Sequence, residues 1–169
     1  MNKKEARAYA LETRKKLDNK SASKTVFDAL YISNILNNFD HIGIYYPIGK
    51  EIDITCLKDK YPNKTFYLPI TKEDLYFSLY DGNLIKGPFN TKEPTGSYIN
   101  RDKIECFIIP CVAISNTNQR LGYGKGYYDR YLDGYKGIKI GVCYKELSNL
   151  KIECNEYDIE LDYVFVGWF

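Results

Sequence analysis

Histidine occurs only once in this chain, as His41 at the edge of an apolar stretch, so a Ser-His-Asp or Cys-His catalytic pairing has little to build on. Covalent nucleophilic catalysis is therefore disfavoured, and His41 reads as structural. A paired cysteine framework is lacking: Cys56, Cys106, Cys111, Cys143 and Cys154 are scattered, odd in number and form no C-x-x-C pair. That spacing argues against structural zinc and against a disulfide scaffold, and leaves reduced, buried thiols. No window approaches the 18 or so uninterrupted apolar residues of a membrane span. The opening Met1-Asn-Lys-Lys-Glu-Ala-Arg7 has no apolar core of a secretory signal, so a cytoplasmic protein is expected. Excess charge is lacking too: a net +2 is too small to hold nucleic acid by electrostatics alone. Repeats, low-complexity tracts and linkers are absent. With 44% hydrophobic and 27% charged residues, the 169 residues are expected to form one domain, 1–169, with a real core.

What is present is a regular alternation of apolar strands and helices. Residues 3–17 predict a helix that buries Ala6, Ala10, Thr13 and Leu17. Lys3, Arg7 and Arg14, at intervals of four and seven, share a neighbouring face. A second helix is expected from a cap at Ser21 or Ser23, carrying Val26, Phe27, Leu30, Ile35 and Leu36. His41–Pro47 reads as a strand, Glu51–Tyr61 as a helix and Thr65–Leu68 as a strand closed by Pro69. Leu75–Leu79 is a further strand, followed by a hairpin signal at Asp81-Gly-Asn83. Gly87–Asn100 reads as loop, and Glu105–Ile109 as a strand closed by Pro110. Gly126–Leu132 opens a helix ended by Gly134. Ile138–Cys143 and Tyr163–Val166 are the last strands. Such a pattern predicts an α/β fold, a three-layer α/β/α arrangement around a mainly parallel, Rossmann-like sheet. Ligands in such folds sit beyond the carboxyl ends of the strands.

The most informative stretch is Gln119-Arg-Leu-Gly-Tyr-Gly-Lys-Gly-Tyr-Tyr-Asp-Arg130. Gly122, Gly124 and Gly126 alternate, so the backbone can approach a ligand closely. Arg120 and Lys125 add positive charge, and Asp129 places a carboxylate just beyond. Free N–H groups flanked by cations suit phosphate, and the carboxylate suits the magnesium that accompanies nucleotide phosphates. It is not a Walker A element, because no Ser or Thr follows Lys125. Nor is it a plain dinucleotide fingerprint, which belongs after a first strand. Tyr123, Tyr127 and Tyr128 are placed to stack on a flat ring. By spacing alone Lys3, Arg7 and Arg14 form a solvated helix face, Glu51 a helix-start carboxylate, and Asp158 and Asp162 part of an acidic turn.

The segment Arg120-Leu-Gly-Tyr-Gly-Lys-Gly-Tyr-Tyr-Asp-Arg130 resembles the signature of the 5-formyltetrahydrofolate cyclo-ligase family, also called methenyltetrahydrofolate synthetases. Further matches follow in chain order: the basic first helix ending Arg14-Lys-Lys-Leu17, Ile44-Tyr-Tyr-Pro47 with Glu51-Ile-Asp53, Gly87-Pro-Phe with Glu93-Pro94, Ile108-Ile-Pro-Cys-Val-Ala113 and Tyr157-Asp-Ile-Glu-Leu-Asp162. The resemblance implies ATP-dependent cyclisation of 5-formyltetrahydrofolate to 5,10-methenyltetrahydrofolate, with 5-formyltetrahydrofolate and ATP as small-molecule partners and Mg2+ beside the nucleotide. It implies catalytic roles for Lys125 and Arg120. ATP-binding roles fall to Lys3, Arg7, Arg120, Leu121, Gly122, Tyr123, Gly124, Lys125, Gly126, Tyr127 and Tyr128. Folate-binding roles fall to Tyr46, Glu51 and residues 123–127, and metal-binding roles to Asp129 and Asp158. A monomer without nucleic-acid or membrane partners is expected. Ahead of the signature, Ser115-Asn116 and Asn118 stand where the family commonly carries Phe-Asp and Gly. Asn tolerates positive φ, so the turn can survive. The rival readings fit less well. A phosphosugar isomerase-like enzyme has no use for Asp129 within a phosphate loop, and an RNA-binding module would need an aromatic-basic motif that is missing.

Overall fold

The computed structural model describes residues 1–168. Helix α1 (Lys3–Arg14) opens on a capping box in which the Asn2 side chain accepts the Glu5 N–H at 2.8 Å and the Glu5 carboxylate accepts the Asn2 N–H at 3.1 Å. It ends before the expected Leu17, which still reaches the core. Helix α2 (Asn19–Ser33) is capped by Asp18 rather than by Ser21 or Ser23, and stops where Asn34 turns left-handed at φ 58°. Leu36 is buried from a 3-10 turn beyond that stop.

The chain then runs through β1 (His41–Gly43), α3 (Leu57–Lys60), β2 (Thr65–Thr71) and β3 (Leu75–Leu79). The short strands β4 (Leu84–Lys86) and β5 (Lys92–Pro94) precede β6 (Cys106–Pro110). After β7 (Ala113–Ile114) and β8 (Arg120–Leu121) come α4 (Tyr127–Tyr131), β9 (Ile138–Tyr144) and β10 (Tyr163–Gly167). Six strands form one sheet in the order β10-β9-β6-β1-β2-β3; every neighbouring pair is parallel except β2 with β3.

Numbered among themselves, the parallel strands lie 2-1-3-4-5, a doubly wound order whose direction reverses between β1 and β6. Helices cover both faces. In register, Phe107 lies beside Lys139 and Gly167 beside Tyr144, so Phe107 and Gly167 belong to opposite faces of the sheet. On the Gly167 side α2 comes so near that a Cβ on Gly167 would strike the Ala22 backbone. On the Phe107 side Phe77 and Phe107 meet edge-to-face with centroids 4.9 Å apart, and Tyr131 of α4 packs on both. The three-layer α/β/α expectation holds.

Five local expectations need correction, the first being the strand expected over His41–Pro47, which stops at Gly43. Glu51–Tyr61 is not a helix: only Leu57–Lys60 is, and residues 44–56 form an irregular arm. Pro69 does not close its strand, since β2 continues to Thr71. The reason is the phase of the ladder. The Tyr80 N–H bonds to the Phe66 carbonyl, so even-numbered residues of β2 face β3, and Pro69 turns its missing donor toward β1, which has already ended. Asp81-Gly-Asn83 joins no hairpin; β3 pairs with β2, and β4 with β5. Part of the 87–100 loop is strand β5. The substituted turn ahead of the glycine loop does survive, with Asn118 at φ 58° and the Ser115 hydroxyl accepting the N–H groups of Thr117 and Gln119. No helix among the described residues is long and apolar enough to cross a membrane.

Candidate active site

The loops that follow β1 and β6 diverge at the point where the strand order reverses, and a cavity of about 350 Å3 opens there. Tyr45, Tyr46 and Ile48 line it from the arm after β1, and Pro110 from the end of β6. Thr71 and Leu75 come from the β2–β3 hairpin, Phe89 and Thr91 from the β4–β5 connection. Residues 120–128, Asp129 and Asp158 form another wall with Lys3 and Arg7, and Glu51 lies among them. Every residue anticipated for ATP, folate or metal thus borders one space, drawn from α1, the arm, the glycine loop and the approach to β10.

The glycine loop is held from two sides. Arg7 Nε donates to the Gly122 carbonyl at 2.9 Å, and Arg130 Nη1 donates to the Lys125 carbonyl at 2.8 Å. Gly124 sits at φ +105°, where side chains are rarely tolerated, and a Cβ there would lie 3.2 Å from the Arg7 guanidinium carbon. A Cβ on Gly122 would lie 2.6 Å from Arg120 Nη1. Arg120 is only 8% exposed; its Nε donates to the Pro110 carbonyl at 2.8 Å, and its guanidinium lies 4.6 Å from the Tyr128 ring centre. Lys125 differs: it is exposed, rests 5.6 Å from the Phe89 ring, and has no carboxylate partner among the described residues. Fixed arginines behind the loop and one movable ammonium in front are an arrangement for receiving an anion. Helix α4 spans five residues, so its own dipole adds little.

Glu51 is 7% exposed and lies on the irregular arm rather than at a helix start. Its Oε1 accepts the Ile48 N–H at 2.8 Å and its Oε2 the Tyr123 hydroxyl at 3.3 Å. Burial pushes its carboxyl above the usual range, opposed by the Ile48 N–H and by the positive charge of Arg14 and Arg120. Burial likewise pushes the neighbouring Cys111 thiol up to about 11, so that thiol stays protonated near neutrality. Asp158 is tied to Lys3 Nζ at 2.7 Å and to the Asn155 N–H at 2.8 Å. Asp129 Oδ1 accepts the Ile159 N–H at 3.2 Å, which links α4 to the segment carrying Asp158.

The sequence model of the "5-formyltetrahydrofolate cyclo-ligase family" matches residues 2–167. The chain belongs to that family. It is 33% identical over 117 residues to the 5-formyltetrahydrofolate cyclo-ligase of Mycoplasma genitalium, an overlap of 60% of this chain and 70% of the relative. To the cyclo-ligase of Haemophilus influenzae it is 29% identical over 143 residues, 75% of each chain. Among solved structures, the Aquifex aeolicus 5,10-methenyltetrahydrofolate synthetase superposes with a TM-score of 0.85 at 28% identity, covering 97% of this chain and 89% of that one. Membership makes the chain an enzyme of the ligase class.

Within this cyclo-ligase family framework, two kinds of residue escaped the sequence reading. Thr71 lies beyond Pro69, where the sequence alone predicts the strand to have ended, and Leu75 reads from sequence only as a strand residue. Arg14 reads by spacing as part of a basic helix face, yet it is 7% exposed and donates to the Tyr123 hydroxyl at 2.6 Å. Its signal was present in the intervals of four and seven, which put Lys3, Arg7 and Arg14 on one side of α1, and that side faces the cavity. Lys3, rather than the exposed Lys4, is the residue that borders it.

Proposed function

We propose that this cyclo-ligase converts 5-formyltetrahydrofolate to 5,10-methenyltetrahydrofolate at the expense of ATP, releasing ADP and phosphate. The observation that carries the reading is the single cavity in which an anion-receiving glycine loop, with free Lys125, lies opposite a buried carboxylate with ring-stacking tyrosines. A formamide carbon is a poor electrophile and its oxygen a poor leaving group. Transfer of the γ-phosphoryl to the formyl oxygen forms a P–O bond as the bond to ADP breaks. The N10 lone pair then attacks the formyl carbon, phosphate departs with that oxygen, and N10 loses its proton. The attack is intramolecular, so holding the folate bent supplies a high effective concentration. Phosphoryl transfer asks the protein for positioning and neutralisation of charge, which explains the absence of a nucleophile among the site residues.

In this reading Lys3, Arg7 and residues 120–128 hold the nucleotide. Lys125 follows the transferring phosphoryl, while Arg120, fixed by Pro110 and Tyr128, supplies constant positive charge. Tyr46 packs on the folate, and Glu51 accepts the paired N–H groups of its pterin ring. Tyr123 and Tyr127 lie between the two substrates. At about 350 Å3 the cavity is at the lower end of small-molecule pockets, so it suits the pterin and the triphosphate end, with the remainder of each ligand outside.

Asp129 and Asp158 would hold Mg2+. Among the described residues no cluster of three acidic, histidine or cysteine side chains exists to cage an ion. Two carboxylates bordering the cavity, completed by phosphate oxygens and water, would be the donor set of a magnesium carried on a nucleotide. When bound, the ion neutralises phosphate charge. Lys3 would then exchange part of its pairing with Asp158 for phosphate. A monomer acting in the cytoplasm is part of the proposal; the five free thiols suit a reducing compartment. The test is direct. Purified protein with 5-formyltetrahydrofolate, ATP and magnesium should generate the near-ultraviolet absorbance of the methenyl product. No signal, or a signal that survives omission of ATP, defeats the reading.

A further inference from the structure

Arg14 is a buried cation with no carboxylate in direct contact among the described residues. Its contacts are with Tyr123, whose hydroxyl it binds at 2.6 Å and whose ring centre lies 5.5 Å from its guanidinium. Burying a guanidinium against a neutral phenol is costly unless a counter-charge is near. The counter-charge lies one hydrogen bond further on: the same hydroxyl donates to Glu51 Oε2 at 3.3 Å. Arg14, Tyr123 and Glu51 therefore form a relay from α1 through the glycine loop to the arm after β1. Its end is fixed from the far side by the Ile48 N–H on Oε1.

This relay leaves Glu51 with one engaged position on each carboxylate oxygen and one further acceptor position on each. We infer that Arg14 is a positioning residue for the folate: through the Tyr123 hydroxyl it keeps the Glu51 carboxylate charged and in one orientation, ready to accept two N–H groups of a heterocycle. The inference rests on the proposed folate role of Glu51. The groups that face Glu51 are Arg14 from α1, Arg120 from β8, Tyr123 from the loop, Tyr45 from the arm, Tyr128 from α4 and Cys111 beyond β6. The phenols and the thiol are neutral near neutral pH, so Arg14 and Arg120 alone supply charge. Arg120 is committed to Pro110 and Tyr128, which makes Arg14 the cation linked to Glu51 by hydrogen bonds.

The relay also couples the two substrates. Tyr123 belongs to the loop proposed for ATP, so loop closure on the nucleotide and the poise of the folate-binding carboxylate share one hydroxyl. A residue that only stabilised α1 would affect both ligands alike and carry no pH signature.

The test is calorimetric titration of 5-formyltetrahydrofolate, and separately of ATP, into wild type and Arg14→Gln across a pH series. Loss of a charge-assisted contact predicts about tenfold weaker folate binding near neutral pH, with ATP affinity changed less than about twofold. The pH at which folate affinity falls on the acid side should move up by about one unit, because Glu51 then needs less acid to take a proton. Arg14→Lys, which keeps the charge, should restore most of that midpoint. If Arg14→Gln does not fold, Tyr123→Phe breaks the same relay and should give the same upward shift. An unmoved midpoint, or equal losses for ATP and folate, overturns the inference. Wild type that binds no formylfolate at any pH instead overturns the function on which it rests.

Discussion

Replacing Gly124 by alanine separates the loop's conformation from its composition, and the structure sets the size of the effect. Gly124 holds φ +105°, beyond the left-handed helical well, and an added Cβ would lie 3.2 Å from the Arg7 guanidinium carbon. Strained backbone of this kind costs about 1–3 kcal/mol. The steric term is smaller, because Arg7 is a long side chain that can withdraw a few tenths of an ångström, though withdrawal loosens its bond to the Gly122 carbonyl. Gly124 is exposed, and the loop around it is held by side-chain hydrogen bonds from Arg7, Arg14 and Arg130 rather than by strand pairing, so the free protein can relax much of the strain. The cost then appears when the loop must close on phosphate, as about five- to 150-fold weaker ATP binding. Gly134→Ala is the matched control. Its φ is +74° and a Cβ there would meet nothing within 4 Å. That change should cost about 1–2 kcal/mol of stability and leave ATP affinity untouched. Titration calorimetry with ATP, alongside thermal unfolding, reads both terms. Gly124→Ala protein that binds ATP as wild type does and melts at the wild-type temperature would refute the reasoning.

Three further outcomes are expected. Lys125→Ala should lower turnover by at least about a hundredfold while changing folate affinity less, since the proposed role of the ammonium is at the transferring phosphate; a loss confined to KM would remove it from the chemistry. Asp129→Asn should raise the magnesium concentration needed for half-maximal rate, and an unchanged metal titration would end its assignment as a ligand. Glu51→Gln tests the buried carboxylate without substrate. Because burial raises its carboxyl in the folded state, folding takes up protons there, and stability is lost as pH rises through the raised value. The melting temperature of Glu51→Gln should therefore gain on wild type as pH rises from about 4 toward neutrality, and a pH-independent gap would contradict the burial argument.

Much of the fold was legible because hydrophobic periodicity is a local signal. Ala6, Ala10 and Leu17 faced the core as spaced, and Ile108, Ile140 and their neighbours formed the buried parallel strands. The errors cluster where a distant partner decides. Pro69 looks like a strand terminator in isolation, and is tolerated only because β1 stops short beside it. Glu51–Tyr61 carries helical spacing, but its first residues are drawn into an arm whose peptide groups bond to Asn19, Ser23 and the Glu51 side chain. Asp81-Gly-Asn83 turns the chain without pairing its flanks, because β3 finds β2 instead.

By itself the order of residues marked out the glycine loop proposed to receive phosphate: Gly122, Gly124 and Gly126 lie contiguous with Arg120, Lys125 and Asp129. It also determined the family, through motifs that survive as short strings. Only the tertiary structure decided that Arg14 is a buried partner of Tyr123 rather than a solvated helix residue, and that Glu51 is a desolvated carboxylate rather than a helix start. The physical reason is that charge state and orientation depend on solvent exclusion and on hydrogen-bond partners more than a hundred positions away in the chain for Arg14 and seventy-two away for Glu51. Spacing along one helix can nominate such residues, but the environment that gives them a function is assembled only when the sheet closes.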